Sequence, residues 1–472
     1  MKKPPILYWF RNDLRLSDNP ALCAAAKEGE VLPIYIWNSG GGSVTKRGAA
    51  SRYWLYHSLK MLKAELGSFL SFYKGDELGN LECIIQQFGI KKVFWNRCYE
   101  AHAMKRDKVI KETLKKKGID VQTFNASLLW EPWEAVKAEK DPYKVFTPFY
   151  RKGCLSAPTP RKPLNKPSSL KCVSDKKNGW NIDDLDICLP KSWHAKFPGE
   201  FKIGEVGAKE RLNLFIKRGL DGYKEQRNFP ALPHVSKLSP HIHHGEISPN
   251  QIYYSAKKQG DNSDVDHFCS ELGWREFSYN LLYFNQDLEK VNIQKKFNNF
   301  SWKKDTKNLH FWQKGQTGIP FVDAGMRELY TTGFLHNRMR MVVGSFLVKN
   351  LMIHWHEGRK WFWDCLFDAD LANNSASWQW IAGCGADAAP YFRIFNPITQ
   401  GQKFDGEGIY TKQYLPELAN LPNKYLFDPW NAPESVLDQA GVKLGKTYPK
   451  PIVDLSQSRL EALEAFSKLK GL

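Results

Sequence analysis

Nine cysteines are spread over 472 residues, and no two stand in a Cys-x-x-Cys spacing. That excludes a zinc ribbon and argues against a disulfide framework, so a reducing compartment is expected. Long apolar runs are also missing. Met1-Lys-Lys-Pro-Pro leads straight into the five-residue stretch Ile6–Phe10, too short for a signal-peptide core and far too short for a bilayer span. The expectation is a soluble, cytoplasmic monomer with no membrane partner. No low-complexity segment, collagen-like period or solenoid repeat is present. The glycine run Gly40-Gly41-Gly42 lacks the G-x-G-x-x-G and P-loop patterns, so it carries no argument for NAD or ATP. His241, His243 and His244 have no accompanying Cys or carboxylate cluster, and no metal is expected.

What is present describes a folded chain. Hydrophobic residues at 42% and charged residues at 25% fall in the ordinary globular range. A length of 472 exceeds what one core usually organises, which implies two domains. The net charge of +18 makes a polyanion a plausible partner. Seventeen Trp and 14% aromatic residues exceed what core packing asks for and suit a protein that grips flat rings.

From Ile6 to about Phe124, short apolar runs alternate with amphipathic stretches. Strands are predicted at Ile6–Phe10, Val31–Trp37, 69–73, 92–95 and 119–124. Leu55, Leu59, Leu62 and Leu66 mark one helix face, and a Lys-rich helix is predicted over 103–117. This βαβ rhythm predicts an α/β domain with a doubly wound, parallel, five-stranded sheet over residues 1–133, whose ligands lie at the carboxyl ends of the strands. Residues 134–200, with Pro158, Pro160, Pro163 and Pro167 among Lys, Arg and Ser, read as an interdomain connector. Helical patterns at 205–218, 265–283, 325–330, 337–350 and 378–382 predict an all-α domain over 201–472.

The chemistry concentrates in that second half. Glu271, Trp274 and Arg275 stand at i, i+3 and i+4, so a carboxylate, an indole and a guanidinium share a helix face. An i, i+4 Glu and Arg by themselves read first as a surface salt bridge, and it is their neighbours that weigh against this. Asn337 and Met341 again share a face, with Arg338 and Arg340 turned elsewhere. An amide can pair with a pyrimidine edge, and a thioether tolerates its ring. Trp378 and Trp380 lie about 200° apart on a helix, so one indole can line a pocket while the other points inward.

These segments resemble the photolyase and cryptochrome family. Phe10-Arg-Asn-Asp-Leu-Arg-Leu-Ser-Asp-Asn19 is similar to the family's opening signature, and Ala50-Ser-Arg-Tyr-Trp-Leu-Tyr-His-Ser-Leu59 to the helix that follows it. The likeness is densest over 271–418, where Asn396-Pro-Ile-Thr-Gln-Gly-Gln-Lys-Phe-Asp405 and Tyr414-Leu-Pro-Glu-Leu418 also match. The pattern is most similar to class I cyclobutane pyrimidine dimer photolyases.

The resemblance implies FAD, active in its reduced anionic form, held in the helical domain. Tyr223, Val235, Ser236, Lys237, Leu238 and Ser239 would contact it from one side. Arg275, Asn337, Arg340, Asp368, Ala369, Asp370 and Asn374 would complete the set. Where the family usually reads Thr-Ser-Arg, this chain has Val235-Ser236-Lys237, losing a hydroxyl and exchanging a guanidinium for an ammonium. Asn374 matches the position facing the flavin's central ring. An amide there favours the anionic reduced form, because a carboxylate would repel it.

The same resemblance assigns Glu271, Trp274, Asn337, Met341 and Trp380 to a catalytic pocket for the dimer. Arg227, Glu271, Trp274, Arg275, Asn337, Arg338 and Trp380 would bind DNA. Trp302, Trp355 and Trp378 match an electron-transfer chain. The implied partner is UV-damaged DNA containing pyrimidine dimers, and the implied activity is light-dependent repair by a deoxyribodipyrimidine photolyase. An antenna chromophore of folate or deazaflavin type in the first domain stays open. So do two other readings. A cryptochrome-like photosensor is opposed by Glu271, Asn337, Met341 and Asn374 together, and by a sequence that ends at Leu472 without a long tail. A (6-4) photolyase would usually carry a second His where this chain has Asn337.

Overall fold

The structure is a computed structural model describing residues 3–40, 46–175, 178–187, 196–197, 199–388, 390–391 and 393–471. Its first half is a parallel sheet of β1 (Ile6–Phe10), β2 (Val31–Trp37), β3 (Ser71–Lys74), β4 (Lys92–Asn96) and β5 (Asp120–Phe124), in the order β3-β2-β1-β4-β5. β1 is buried at all five positions and β2 at all seven, as a sheet covered on both faces requires. The covering helices are α1 (Pro20–Glu28), α2 (Ala49–Leu66), α3 (Glu77–Phe88) and α4 (Ala101–Lys116). Leu55, Leu59, Leu62 and Leu66 of α2 are all buried, each stabilising the domain by about 1.5–3 kcal/mol relative to an exposed side chain.

The doubly wound sheet expected from the sequence is therefore present, with shifted edges. The third strand begins at Ser71 rather than 69, because Gly67–Phe69 closes α2 in a 3-10 turn. Of the glycine run, Gly41 and Gly42 lie outside the described residues.

Residues between the sheet and the helical half pack against both. Cys172 bridges to Val31 and Trp180 to Phe72 beside the sheet, while Phe149, Tyr150 and Cys154 are buried in a cluster with helical-domain residues.

The helices that carry the argument are α5 (Glu205–Arg218), α6 (Ser263–Phe284), α7 (Pro320–Thr332), α8 (Asn337–Ser345), α9 (Trp355–Cys365) and α10 (Leu371–Ala382). Local chemistry sets their starts: Asn262 caps α6 by accepting from Val265 N–H, and Asp370 caps α10 by accepting from Asn373 N–H. The helix expected over 337–350 is α-helical only to Ser345, then widens into a π turn over Phe346–Asn350. There the Lys349 ammonium reaches the Arg393 carbonyl at 3.0 Å.

Buried polar latches join the halves. Glu205 accepts from the backbone N–H of Leu16 at 2.6 Å, Glu246 from the Trp54 indole at 3.0 Å, and Arg15 donates to the Gly245 carbonyl at 2.9 Å. Gly245 has φ 72°, and a Cβ there would stand 2.1 Å from the Asn12 carbonyl oxygen, so only glycine lets the domains approach this closely. The Phe10–Asn19 motif thus works as a joint. Asp13 accepts from Tyr8 and Asn96, and Asp18 accepts from Ser248 and Arg161.

Candidate flavin and nucleic-acid site

A cavity of about 540 Å³ opens in the helical half, within the range of small-molecule and cofactor sites. α6 supplies Glu271, Trp274 and Arg275 to its wall, as the i, i+3, i+4 spacing predicted. Glu271 and Arg275 do not pair with each other. Glu271 binds the Arg227 guanidinium, while Arg275 binds the buried Glu276 at 3.0 Å and lies 4.8 Å from the Tyr279 ring centre. Each charge of the shared face thus has its own partner.

α8 brings Asn337, Arg340 and Met341 to the cavity, with Asn337 exposed at its mouth. Arg340, expected to turn away from Asn337 and Met341, also lines the cavity, and it is fixed by Asp368 at 2.8 Å and the Leu335 carbonyl at 2.9 Å. α10 contributes Asp370, Asn374, Trp378 and Trp380. As expected of indoles about 200° apart, Trp378 points into the helical core, edge-on to Phe362 at 4.9 Å, while Trp380 is partly exposed; both also reach the cavity. Gly358 makes the first possible, since a Cβ there would lie 2.1 Å from the Trp378 ring.

Tyr223 and the run Val235, Ser236, Lys237, Leu238 and Ser239 also line the cavity. Lys237 holds φ 52° and pairs with Glu200. Burial would raise the Asp370 carboxyl, but the nearby His243 imidazole 3.8 Å away, the charge of Arg275 and a hydrogen bond from Tyr279 hold it at about 2.

Four expected residues lie elsewhere. Ala369 lines a smaller cleft of about 140 Å³ between the domains, with Trp9, Arg11, Tyr35 and Arg106. Arg338 sits outside the cavity, donating to Asn228 at 2.7 Å with its guanidinium 4.2 Å from the Phe404 ring centre. Trp355 is fully buried on α9 and donates to Asn292 at 2.8 Å. Trp302 is half-buried, and His354 lies between these two indoles, 5.0 Å from one and 5.7 Å from the other. Sequence reasoning missed His243, Asn373, Tyr279 and Asp387. The histidine was visible in the His241–His244 run but was weighed only as a metal ligand. Among the described residues no group of three or more His, Cys, Asp or Glu could hold a metal.

The donor set fits a flavin nucleotide. Two serine hydroxyls, an ammonium and two guanidinia can meet a diphosphate, and Phe277, Leu281, Phe362 and Ile381 give apolar wall for a ring system. Fold and cavity together define a two-domain protein whose helical half is shaped around a large nucleotide cofactor. The family model described as DNA photolyase matches residues 6–168, and the FAD binding domain of DNA photolyase matches 268–468. The chain belongs to the photolyase/cryptochrome family, and its helical half is the FAD-binding domain.

A deoxyribodipyrimidine photo-lyase of Agrobacterium fabrum is 43% identical over 100% of this chain and 99% of its own length. Cryptochrome-1 of Arabidopsis thaliana is 36% identical over 98% of this chain and 70% of its own. The crystal structure of a bacterial class III photolyase from Agrobacterium tumefaciens superposes with a TM-score of 0.95 at 43% identity, covering 100% of this chain and 99% of that one. The family expected from the sequence is confirmed, while the class label of that similar structure is III rather than I.

Proposed function

We propose that the protein repairs cyclobutane pyrimidine dimers in DNA, using light and reduced FAD. The observation that carries the reading is a single cavity holding both residue sets. Asn337, at its exposed mouth, shares the cavity with Glu271, Trp274, Met341 and Trp380, while the buried Asp370 and Asn374 line it within. Most of the residues expected to bind the dimer and most of those expected to bind the flavin therefore face the same space.

When bound, the reduced flavin supplies the electron that opens the cyclobutane ring and takes it back. The chain does the rest. Glu271, held by Arg227, accepts a hydrogen bond from the pyrimidine edge, and Asn337 can donate or accept there. Trp274 and Trp380 pack on the dimer, and Arg227 and Arg338 meet phosphates. Arg275 is held by Glu276, and the buried Asp370 by Tyr279, so both charges stay fixed in the cavity wall. To reach a cavity inside the helical half the dimer must leave the duplex, and damaged pairs cost least to extrude. No helix among the described residues is long and apolar enough to cross a membrane.

The likeness to Arabidopsis cryptochrome-1 favours a second reading, a blue-light sensor. The experiment that separates them mixes the purified holoprotein with an oligonucleotide carrying one thymine dimer, in the dark and under near-ultraviolet light. Repair in light alone is expected; no repair rejects the enzyme. Glu271→Ala should lose repair yield while keeping flavin, and Asp370→Ala should lose flavin first. The reverse order would undo the role assignment.

A further inference from the structure

The indole of Trp274 has two faces, and one is already taken. Phe146, from the stretch between the two domains, lies parallel to it, with ring centres 3.8 Å apart and planes 11° from parallel. Tyr150 continues the stack on Phe146, 5.7 Å away at 7°. Three rings thus form a ladder behind the cavity wall.

Two features hold the ladder in place. The backbone N–H of Phe146 donates to the Asp387 carboxylate at 2.8 Å, and Asp387 itself lines the cavity. Gly273, next to Trp274 on α6, lets the Tyr150 ring approach: a Cβ there would stand 2.4 Å from it. Tyr150 is buried and Phe146 is half-buried.

We infer that Phe146 is a positioning residue for base stacking: it covers one face of Trp274, fixes the plane of the indole, and leaves the other face for an extruded pyrimidine. The role assigned to Trp274 rests on the repair reading above; the fixed plane rests on the ring geometry alone. An indole free to turn about its side-chain torsions would spend orientational freedom each time it stacked, whereas a clamped one does not. An offset aromatic pair is worth a factor of roughly two to thirteen in an equilibrium constant. The segment between the domains therefore backs a wall residue of the site as well as making a connection.

The test uses full-length holoprotein with Phe146→Ala, Phe146→Tyr and wild type. Each is labelled with 5-fluorotryptophan, and the Trp274 fluorine resonance is assigned by its loss in Trp274→Phe. In Phe146→Ala that resonance should shift and broaden, and Phe146→Tyr should restore it. An unchanged resonance in Phe146→Ala overturns the inference whatever the substrate. Affinity for a thymine-dimer oligonucleotide should fall about threefold to tenfold in Phe146→Ala and recover in Phe146→Tyr, with flavin content unchanged. Equal loss of flavin and affinity, without rescue by tyrosine, would mark a merely structural role and overturn it too. If wild type shows no preference for the dimer, the repair reading fails, and the resonance still decides whether Phe146 fixes Trp274.

Discussion

The side-chain amide of Asn374 donates to the backbone carbonyl of Arg359 at 3.1 Å. A carbonyl demands a donor, so the NH₂ end is committed to α9 and the amide oxygen is left as an acceptor for whatever fills the cavity. Aspartate at this position would set a carboxylate against the Arg359 carbonyl and add a negative charge beside the flavin. Asn374→Asp should retain FAD yet hold it less well in the reduced state. Reoxidation in air, followed by absorbance after photoreduction, should be several-fold faster than in wild type; an equal rate would remove Asn374 from the role.

Glu276 tests the joint between the domains. Its carboxylate accepts from the N–H groups of Leu129 at 3.0 Å and Trp130 at 3.3 Å while binding Arg275. Glu276→Ala strands two buried N–H groups, at about 1–3 kcal/mol each, and leaves the Arg275 guanidinium without its carboxylate. Glu276→Gln keeps one acceptor and should lose less. Urea midpoints of the three proteins should rank wild type, glutamine, alanine, and flavin should leave the alanine variant first. Equal midpoints would show that the latch carries no stability.

Much of this was legible in the sequence because periodicity reports burial. The apolar runs of β1 and β2 and the leucine face of α2 gave sheet and helix correctly, and the i, i+3, i+4 spacing of Glu271, Trp274 and Arg275 put all three on one wall. Partners were not legible. Arg227 lies 44 residues from Glu271, and nothing local says that this pair forms instead of Glu271 with Arg275. The same holds for Phe146 on Trp274 and for the Asp387 carboxylate. The fold brings these together, and a one-dimensional pattern has no term for it.

The two arginines of the expected DNA surface should behave differently. Arg338 stands outside the cavity on Asn228 and Phe404, where it can meet a backbone phosphate. Arg338→Ala should weaken binding to damaged and intact DNA alike and reduce the slope of log K against log salt by about one. Arg227 is tied to Glu271, so Arg227→Ala should penalise damaged DNA more than intact. Fluorescence anisotropy titrations at three salt concentrations distinguish the two patterns, and identical profiles would contradict the assignment.

A relay through Trp378, Trp355 and Trp302 makes a separable claim. Trp355 is fully buried, and its N–H is satisfied by Asn292, so phenylalanine keeps an aromatic ring there at the cost of that hydrogen bond and some packed volume. Trp355→Phe should lose most photoreduction of oxidised flavin while repairing dimers normally after chemical reduction. Photoreduction at the wild-type rate would take Trp355 out of the path.

Lys349 gives a prediction about stability that needs no cofactor chemistry. Its side chain is fully buried, donates to the Arg393 carbonyl at 3.0 Å and lies 5.1 Å from the Tyr391 ring centre. Burial first, then the Arg393 charge, pushes it down to about 7, against about 10.4 in an unfolded chain. Between those two values the unfolded chain binds a proton that the native state lacks, so this group makes stability rise with pH, by up to about 1.4 kcal/mol per pH unit. Below 7 both states are protonated and its contribution no longer changes. Lys349→Met fills similar space without a charge and should remove that slope. Urea unfolding of both proteins at pH 7, 8 and 9 reads the difference directly, because every other titrating group is common to the two. The wild-type advantage should grow with each step; parallel curves would mean that Lys349 keeps its proton in the folded protein.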